Sequence, residues 1–427
     1  MERASRQPAI FDIALDPLDL EFGGTIDHHV VRGWMWSSDD DERTLENACV
    51  DAGPTQLVRR STADFERVHR LSEDEQLSDD RKTVLIVHAL TGDAFAGGPG
   101  GWWSGVIGRG RAFDPNHYRL LCFNNLGSCY GTSGPGDEGF PMLGDPEDVP
   151  RTLTTWDQAR SIIMALDALG IDKVELAVGG SLGGMITLCL AAMEPQRFRR
   201  IMPIAANEAA GPWIIGFNHI ARNLVIEDPT FPADGSQGLI SARALAMMTY
   251  RAEPGMQNRH GRRRSTVSQK SERQKAGCRY VLDEPYAVQT YLDYQGEKLE
   301  QRFDARAYIA QLDAMDHHDI SRRPPWAPPP ENEREDTEDA AEYYPHDASR
   351  SWGLMRIESP ILSVGIDTDA LYHAHHMKRL ASRAESLGKY AEYKEIESPH
   401  GHDAFLLEAD QVNEILKDGL ALPLNDE

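Results

Sequence analysis

A serine set among glycines, Gly179-Gly180-Ser181-Leu182-Gly183, matches the pattern G-x-S-x-G. A sharp turn at such a serine favours glycine neighbours, because other Cβ atoms would collide there. A helix starting just behind it offers free N–H groups to developing negative charge. The chemistry implied is attack by an activated hydroxyl, which needs a base and a third group to orient that base. His88-Ala89-Leu90-Thr91-Gly92 follows an apolar run. A loop in that place donates one oxyanion-hole N–H, and the residue after the nucleophile donates the other. The expected donors are the backbones of Leu90 and Leu182. In the chain order serine, acid, histidine, the acid falls in Asp367-Thr368-Asp369 and the base in His400-Gly401-His402-Asp403. Each place offers two residues, Asp367 or Asp369 and His400 or His402, and chemistry alone does not choose.

The elements around these residues follow from hydrophobic pattern. Residues 83–87 form a continuous apolar, β-branched run, the mark of a strand buried on both faces, and 118–123 form another. Residues 156–169 carry helical spacing through Ile162, Ile163, Leu166 and Leu169, closed by Gly170. A strand at 173–178 leads into the serine turn and a helix at 184–193 leads away. The rhythm returns with a strand at 360–366, a helix at 375–387, a strand at 393–396 and a helix from about 410. Strands alternating with helices predict a mostly parallel sheet, and the strand–turn–helix context of Ser181 predicts an α/β-hydrolase fold.

Residues 210–350 break the alternation with helical stretches at 240–250 and 286–315, and this predicts an inserted helical cap. The expected division is a first core part at 1–209, opening with a β meander over 1–80, then a cap at 210–350 and a second core part at 351–427. Within the cap, 257–278 is basic and polar, and 324–350 is Pro-rich and then acidic; both read as loop insertions.

Composition narrows the function classes. Lys and Arg number 44 against 68 Asp and Glu, a net charge of −24, which disfavours nucleic acid and anionic membranes as partners. The five cysteines are scattered, without zinc-ligand spacing, which predicts no disulfide framework, no metal site and a reducing cytoplasm. The N-terminal stretch has no apolar signal-like region, and no apolar run approaches a membrane span of about 20 residues.

Taken together, the motifs resemble those of the homoserine O-acetyltransferase family of α/β-hydrolase-fold acyltransferases. The phrases are HALTGD at 88–93, GWW at 101–103, NNLGSCYGTSGP at 124–135, GGSLGGM at 179–185 and DPTF at 228–231. They continue with TYR at 249–251, YQGEKL at 294–299, RFDARAY at 302–308, AMDHHD at 314–319, GIDTD at 365–369 and HGHDAFL at 400–406. The stretch at 67–80 and Leu182 depart from the family pattern, which carries a YETYG-like phrase and commonly Met at those places. The resemblance implies a triad of Ser181, Asp369 and His402. It also implies Arg243 on the substrate carboxylate, Asp403 on its ammonium and Tyr250 as an orienting group. Acetyl-CoA is then co-substrate, L-homoserine the acceptor and a homodimer the assembly, with no cofactor. Homoserine O-succinyltransferase, serine O-acetyltransferase and a plain serine esterase are the rival activities.

Overall fold

The computed structural model describes residues 10–36, 81–98, 100–137, 140, 152–265, 285–327 and 348–424. Strand β1 (Ile10–Ala14) pairs with β4 (Val30–Trp36), and between them β2 (Leu18–Asp19) and β3 (Thr25–Ile26) form a short antiparallel pair. The apolar runs become β5 (Lys82–Val87) and β6 (Tyr118–Phe123), buried along nearly their whole length. They are followed by β7 (Leu176–Gly180), β8 (Ile201–Ile204), β9 (Ile361–Ile366) and β10 (Ala391–Ile396). The eight-stranded sheet has the order β1-β4-β6-β5-β7-β8-β9-β10. It is antiparallel across β1, β4 and β6 and parallel from β6 onward. Parallel strands need crossovers on both faces, which buries them and explains their unbroken apolar runs. The N-terminal strands therefore extend the main sheet; the rest of the expected meander, from residue 37 to 80, lies outside the described residues.

Helix α1 (Thr155–Ala168) starts at a capping box in which the side chains of Thr154 and Asp157 serve each other's backbone N–H. It stops at Gly170, whose φ of 66° is left-handed. The strand expected at 173–178 is shifted to Leu176–Gly180, because its ladder with β8 runs on to Gly180 opposite Ile204. Helix α2 (Leu182–Met193) begins directly after Ser181, earlier than the apolar pattern indicated, and its first turn is buried.

Among the described residues, the longer helices between β8 and β9 are α3 (Pro212–Ile226), α4 (Ser236–Tyr250), α5 (Glu253–His260), α6 (Ala287–Glu300) and α7 (Ala305–Asp316), followed by a short one at Trp352–Arg356. Helix α4 packs on both α3 and α6, and it also meets the Gly401–Asp403 turn. The single helical stretch expected at 286–315 is two helices. Asp304 caps α7 by accepting from the N–H groups of Arg306 and Ala307, and this fixes the break. The first residues of the expected basic loop belong to α5; positions 266–284 and 328–347 lie outside the described residues. Helices α8 (Ala374–Ser386) and α9 (Ala409–Ala421) flank β10. Among the described residues, no helix is long and apolar enough to cross a membrane.

Candidate active site

Ser181 closes β7 and opens α2 with φ 56° and ψ −125°, a conformation that costs a non-glycine residue of order 1–3 kcal/mol. The surroundings hold it there. Its N–H donates to Ile204 O at 2.8 Å, and Gly184 and Met185 donate back to Ser181 O. The flanking glycines are steric requirements: a Cβ on Gly179 would lie 2.3 Å from Gly183 C, and one on Gly180 would lie 2.5 Å from the Phe405 ring. A Cβ on Gly183 would lie 2.1 Å from Val87 O, so β5 and the start of α2 touch backbone to backbone. That contact sets the loop at 88–93 beside the helix start. As N1 of α2, Leu182 has an N–H without an intrahelical acceptor.

His88 at the head of this loop is fully buried. Its Nδ1 faces Ala89 O at 2.8 Å, and its Nε2 accepts from Asn125 N–H at 3.0 Å. Burial drives its pKa down to about 4 against the Ala89 contact, so the ring is neutral and shapes the loop. Asn125 Nδ2 donates to His88 O, and Asn124 Oδ1 accepts from Ala94 N–H at 2.6 Å, so the two asparagines after β6 hold the loop from both ends.

After β9 the three residues of Asp367-Thr368-Asp369 divide the work. Asp367 Oδ1 accepts from Ser398 N–H at 2.9 Å, and Thr368 Oγ1 accepts from Gly401 N–H at 3.1 Å. These bonds tie the loop after β9 to the loop after β10. Asp369 is buried; its Oδ1 accepts from the N–H groups of Leu371 and Tyr372, and its Oδ2 lies 2.7 Å from His402 Nδ1. Asp369 and His402 are thus the pair brought together, while the backbone N–H of His400 donates to Ser398 Oγ. Burial pushes the His402 pKa down, but the charge and hydrogen bond of Asp369 outweigh it and the net shift is upward. Tyr250, Tyr372 and Phe405 surround the ring, with centroids 5.7, 5.4 and 5.8 Å away.

The resemblance-derived residues gather at the end of α4. The Arg243 guanidinium lies 5.3 Å over the Tyr250 ring, and its buried Nε has no hydrogen-bond partner. The Tyr250 pKa is pushed up to about 12 by burial, with Arg243 pulling down and Asp403 pushing up, so its hydroxyl keeps its proton. Asp403 lies 3.2 Å from Arg251 Nε, a partner not foreseen from sequence. Two further groups escaped sequence reading although their motifs were visible. Trp103 Nε1 donates to Phe405 O at 2.9 Å, joining GWW to the residues behind His402. Arg302 Nη1 donates to Thr91 O at 2.8 Å. Among the described residues, no group of three or more His, Cys, Asp or Glu side chains is arranged to hold a metal ion.

The fold and these loops define the class, and a family model for the alpha/beta hydrolase fold matches residues 82–409. A homoserine O-acetyltransferase of Thermus thermophilus is 38% identical over 356 residues, covering 78% of this chain and 80% of that protein. The chain belongs to the homoserine O-acetyltransferase family of this fold. The X-ray structure of homoserine O-acetyltransferase from Bacillus anthracis superposes with a TM-score of 0.69 at 18% identity, covering 97% of this chain and 98% of that one. An acetylester hydrolase from Corynebacterium glutamicum gives a TM-score of 0.65 at 16% identity, covering 97% and 96%. Likeness at these identities carries the fold alone, and transferases and hydrolases share it.

Proposed function

We propose that this enzyme transfers an acetyl group from acetyl-CoA to the hydroxyl of L-homoserine through an ester on Ser181, in methionine biosynthesis. His402, held by Asp369, takes the Ser181 proton as the oxygen attacks the thioester carbon. The tetrahedral oxyanion is met by the N–H groups of Leu90 and Leu182. Collapse breaks the carbon–sulfur bond, and His402 returns its proton to the departing thiolate. Homoserine then binds, His402 removes its hydroxyl proton, and the new alkoxide attacks the acetyl-serine ester. On collapse, Ser181 takes the proton back from His402 and O-acetylhomoserine leaves.

The observation that carries transfer over plain hydrolysis is the placement of opposite charges around Tyr250, one ring away from His402. Arg243 lies over Tyr250, and Asp403 follows His402 in the chain. A guanidinium suits a carboxylate and a carboxylate suits an ammonium, so the two charges fit an amino-acid zwitterion. The helices between β8 and β9 act as a cap that keeps water from the ester. A homodimer would draw on the exposed Trp213 and Ile220, seven residues apart on one side of α3. Cys122, Cys129 and Cys189 are free and buried, in keeping with a cytoplasmic enzyme.

The test is thiol release from acetyl-CoA or succinyl-CoA with homoserine, serine or water as acceptor. Acetyl-CoA with homoserine is expected to give the highest kcat/KM. Release that is indifferent to added homoserine would make the enzyme a hydrolase, and a preference for succinyl-CoA or serine would reassign donor or acceptor.

A further inference from the structure

The motif at 302–308 has no part in the chemistry described so far, yet its first residue reaches the oxyanion loop. Gln301-Arg302-Phe303-Asp304 forms the break between α6 and α7, and its three last residues point to separate tasks. Asp304 caps α7, and Phe303 packs edge-to-face on Tyr130 with centroids 5.6 Å apart. Arg302 Nη1 donates both to Thr91 O at 2.8 Å and to Tyr130 Oη at 2.5 Å. Thr91 directly follows Leu90, so the guanidinium grips the loop at the 91–92 peptide, two peptide units beyond the one that carries the Leu90 N–H. Two residues on, buried Asp93 feels the same cation and accepts from Phe95 N–H at 2.8 Å. Tyr130 is itself anchored, because Asn124 Nδ2 donates to its carbonyl at 2.7 Å.

We infer that Arg302 is a positioning residue for the oxyanion hole, a cationic clamp through which the helices between β8 and β9 fix the Leu90 N–H. This rests on the reading of Leu90 as an oxyanion donor, but not on the identity of the acceptor. Asn124 and Asn125, just after β6, hold the loop through Ala94 and His88. Arg302 reaches the same loop from the break between α6 and α7. A loop held both by the residues after β6 and by the α6–α7 break keeps its donor aimed without reorganising during reaction, which is the condition for strong oxyanion stabilisation. The arrangement also links placement of the helices that form the acceptor site to competence of the acylation site.

The experiment measures the burst of Ser181 acylation by p-nitrophenyl acetate, a donor that needs neither CoA nor homoserine. Loss of a whole oxyanion donor costs about 10²–10³-fold, so Arg302→Met, which frees the loop without deleting the donor, is expected to slow acylation about 10–100-fold. Arg302→Lys, able to donate to Thr91 O, is expected to recover a substantial part. The KM for homoserine is expected to stay within about twofold, since the clamp acts on the transition state. Circular dichroism and the urea midpoint give the folded fraction. If Arg302→Met does not fold, Tyr130→Phe removes one partner hydroxyl and is expected to slow acylation about threefold to tenfold. Wild-type acylation rates in folded Arg302→Met, no recovery with Lys, or an unaffected Tyr130→Phe where Met fails to fold would each overturn the inference. Wild-type protein that acylates rapidly from the ester but gives nothing to homoserine would overturn the proposed function and leave the clamp standing.

Discussion

In the proposed mechanism Ser181, in its positive-φ turn, needs a base that is neutral when the hydroxyl attacks, and His402 sets that condition. Burial disfavours its charged form, Asp369 favours it, and the net shift is upward. A raised pKa means that the neutral base is lost as pH falls through a value above the ordinary histidine value of about 6.5. The acylation rate is therefore expected to fall on the acid side with an inflection above that value. Asp369→Asn is expected to move the inflection to lower pH and to lower kcat by about 10⁴-fold. His400→Ala is expected to stay within a few-fold of wild type while His402→Ala loses activity. A pH profile of p-nitrophenyl acetate acylation for the variants checks both statements; an unshifted inflection in Asp369→Asn would contradict this account of the base. At this scale Ser181 was legible because its turn imposes glycines at fixed offsets. The choice between Asp367 and Asp369, or His400 and His402, was not legible from chemistry. All four side chains suit a triad, and only the cross-loop bonds from Asp367 and Thr368 show which positions tie the loops together. Arg302 and Arg251 were invisible as contacts, since their partners lie 211 and 152 positions away in the chain.

The elements that carry these residues were read unevenly. Strands β5 and β6 stood out as unbroken apolar runs, and α1 as a periodic segment closed by glycine. Strand β8 has four residues and contains Pro203, which supplies no ladder N–H, so neither length nor pattern marks it. Yet β8 is central, since its last residue accepts the Ser181 N–H. The break between α6 and α7 was hidden because helical periodicity carries across it; the capping Asp304 was its local sign. The tightest joint between elements is Gly183 against the end of β5. Gly183→Ala places a methyl 2.1 Å from Val87 O, which only backbone movement can relieve. Overpacking of this kind costs about 1–3 kcal/mol. The expected outcome is a lower urea midpoint together with a loss of acylation larger than the unfolded fraction explains, because α2 and the 88–93 loop part. An alanine variant with wild-type midpoint and rate would contradict the backbone contact.

Across the whole molecule, the fold class was legible from the alternation of strands and helices, and the strand order was not. Nothing local says that β4 pairs antiparallel with β6, or that β8 sits between β7 and β9. These are long-range choices made by burial of both sheet faces. The net charge of −24 likewise bears on partners without locating a site. In the proposed mechanism the assembled molecule adds control over the fate of the ester: helices α3 to α7 stand between two strands of the sheet, and α4 carries Arg243 and Tyr250, the Tyr250 ring lying beside His402. An esterase of the same fold would let water finish the reaction. The direct test is rapid-quench mass spectrometry of the intact protein after mixing with acetyl-CoA, followed by dilution into buffer with or without homoserine. The expected result is one acetyl group on Ser181, absent in Ser181→Ala, that persists in buffer and disappears on adding homoserine at a rate matching kcat. Steady thiol release without any acetylated protein, or an adduct lost equally fast in buffer alone, would contradict the account.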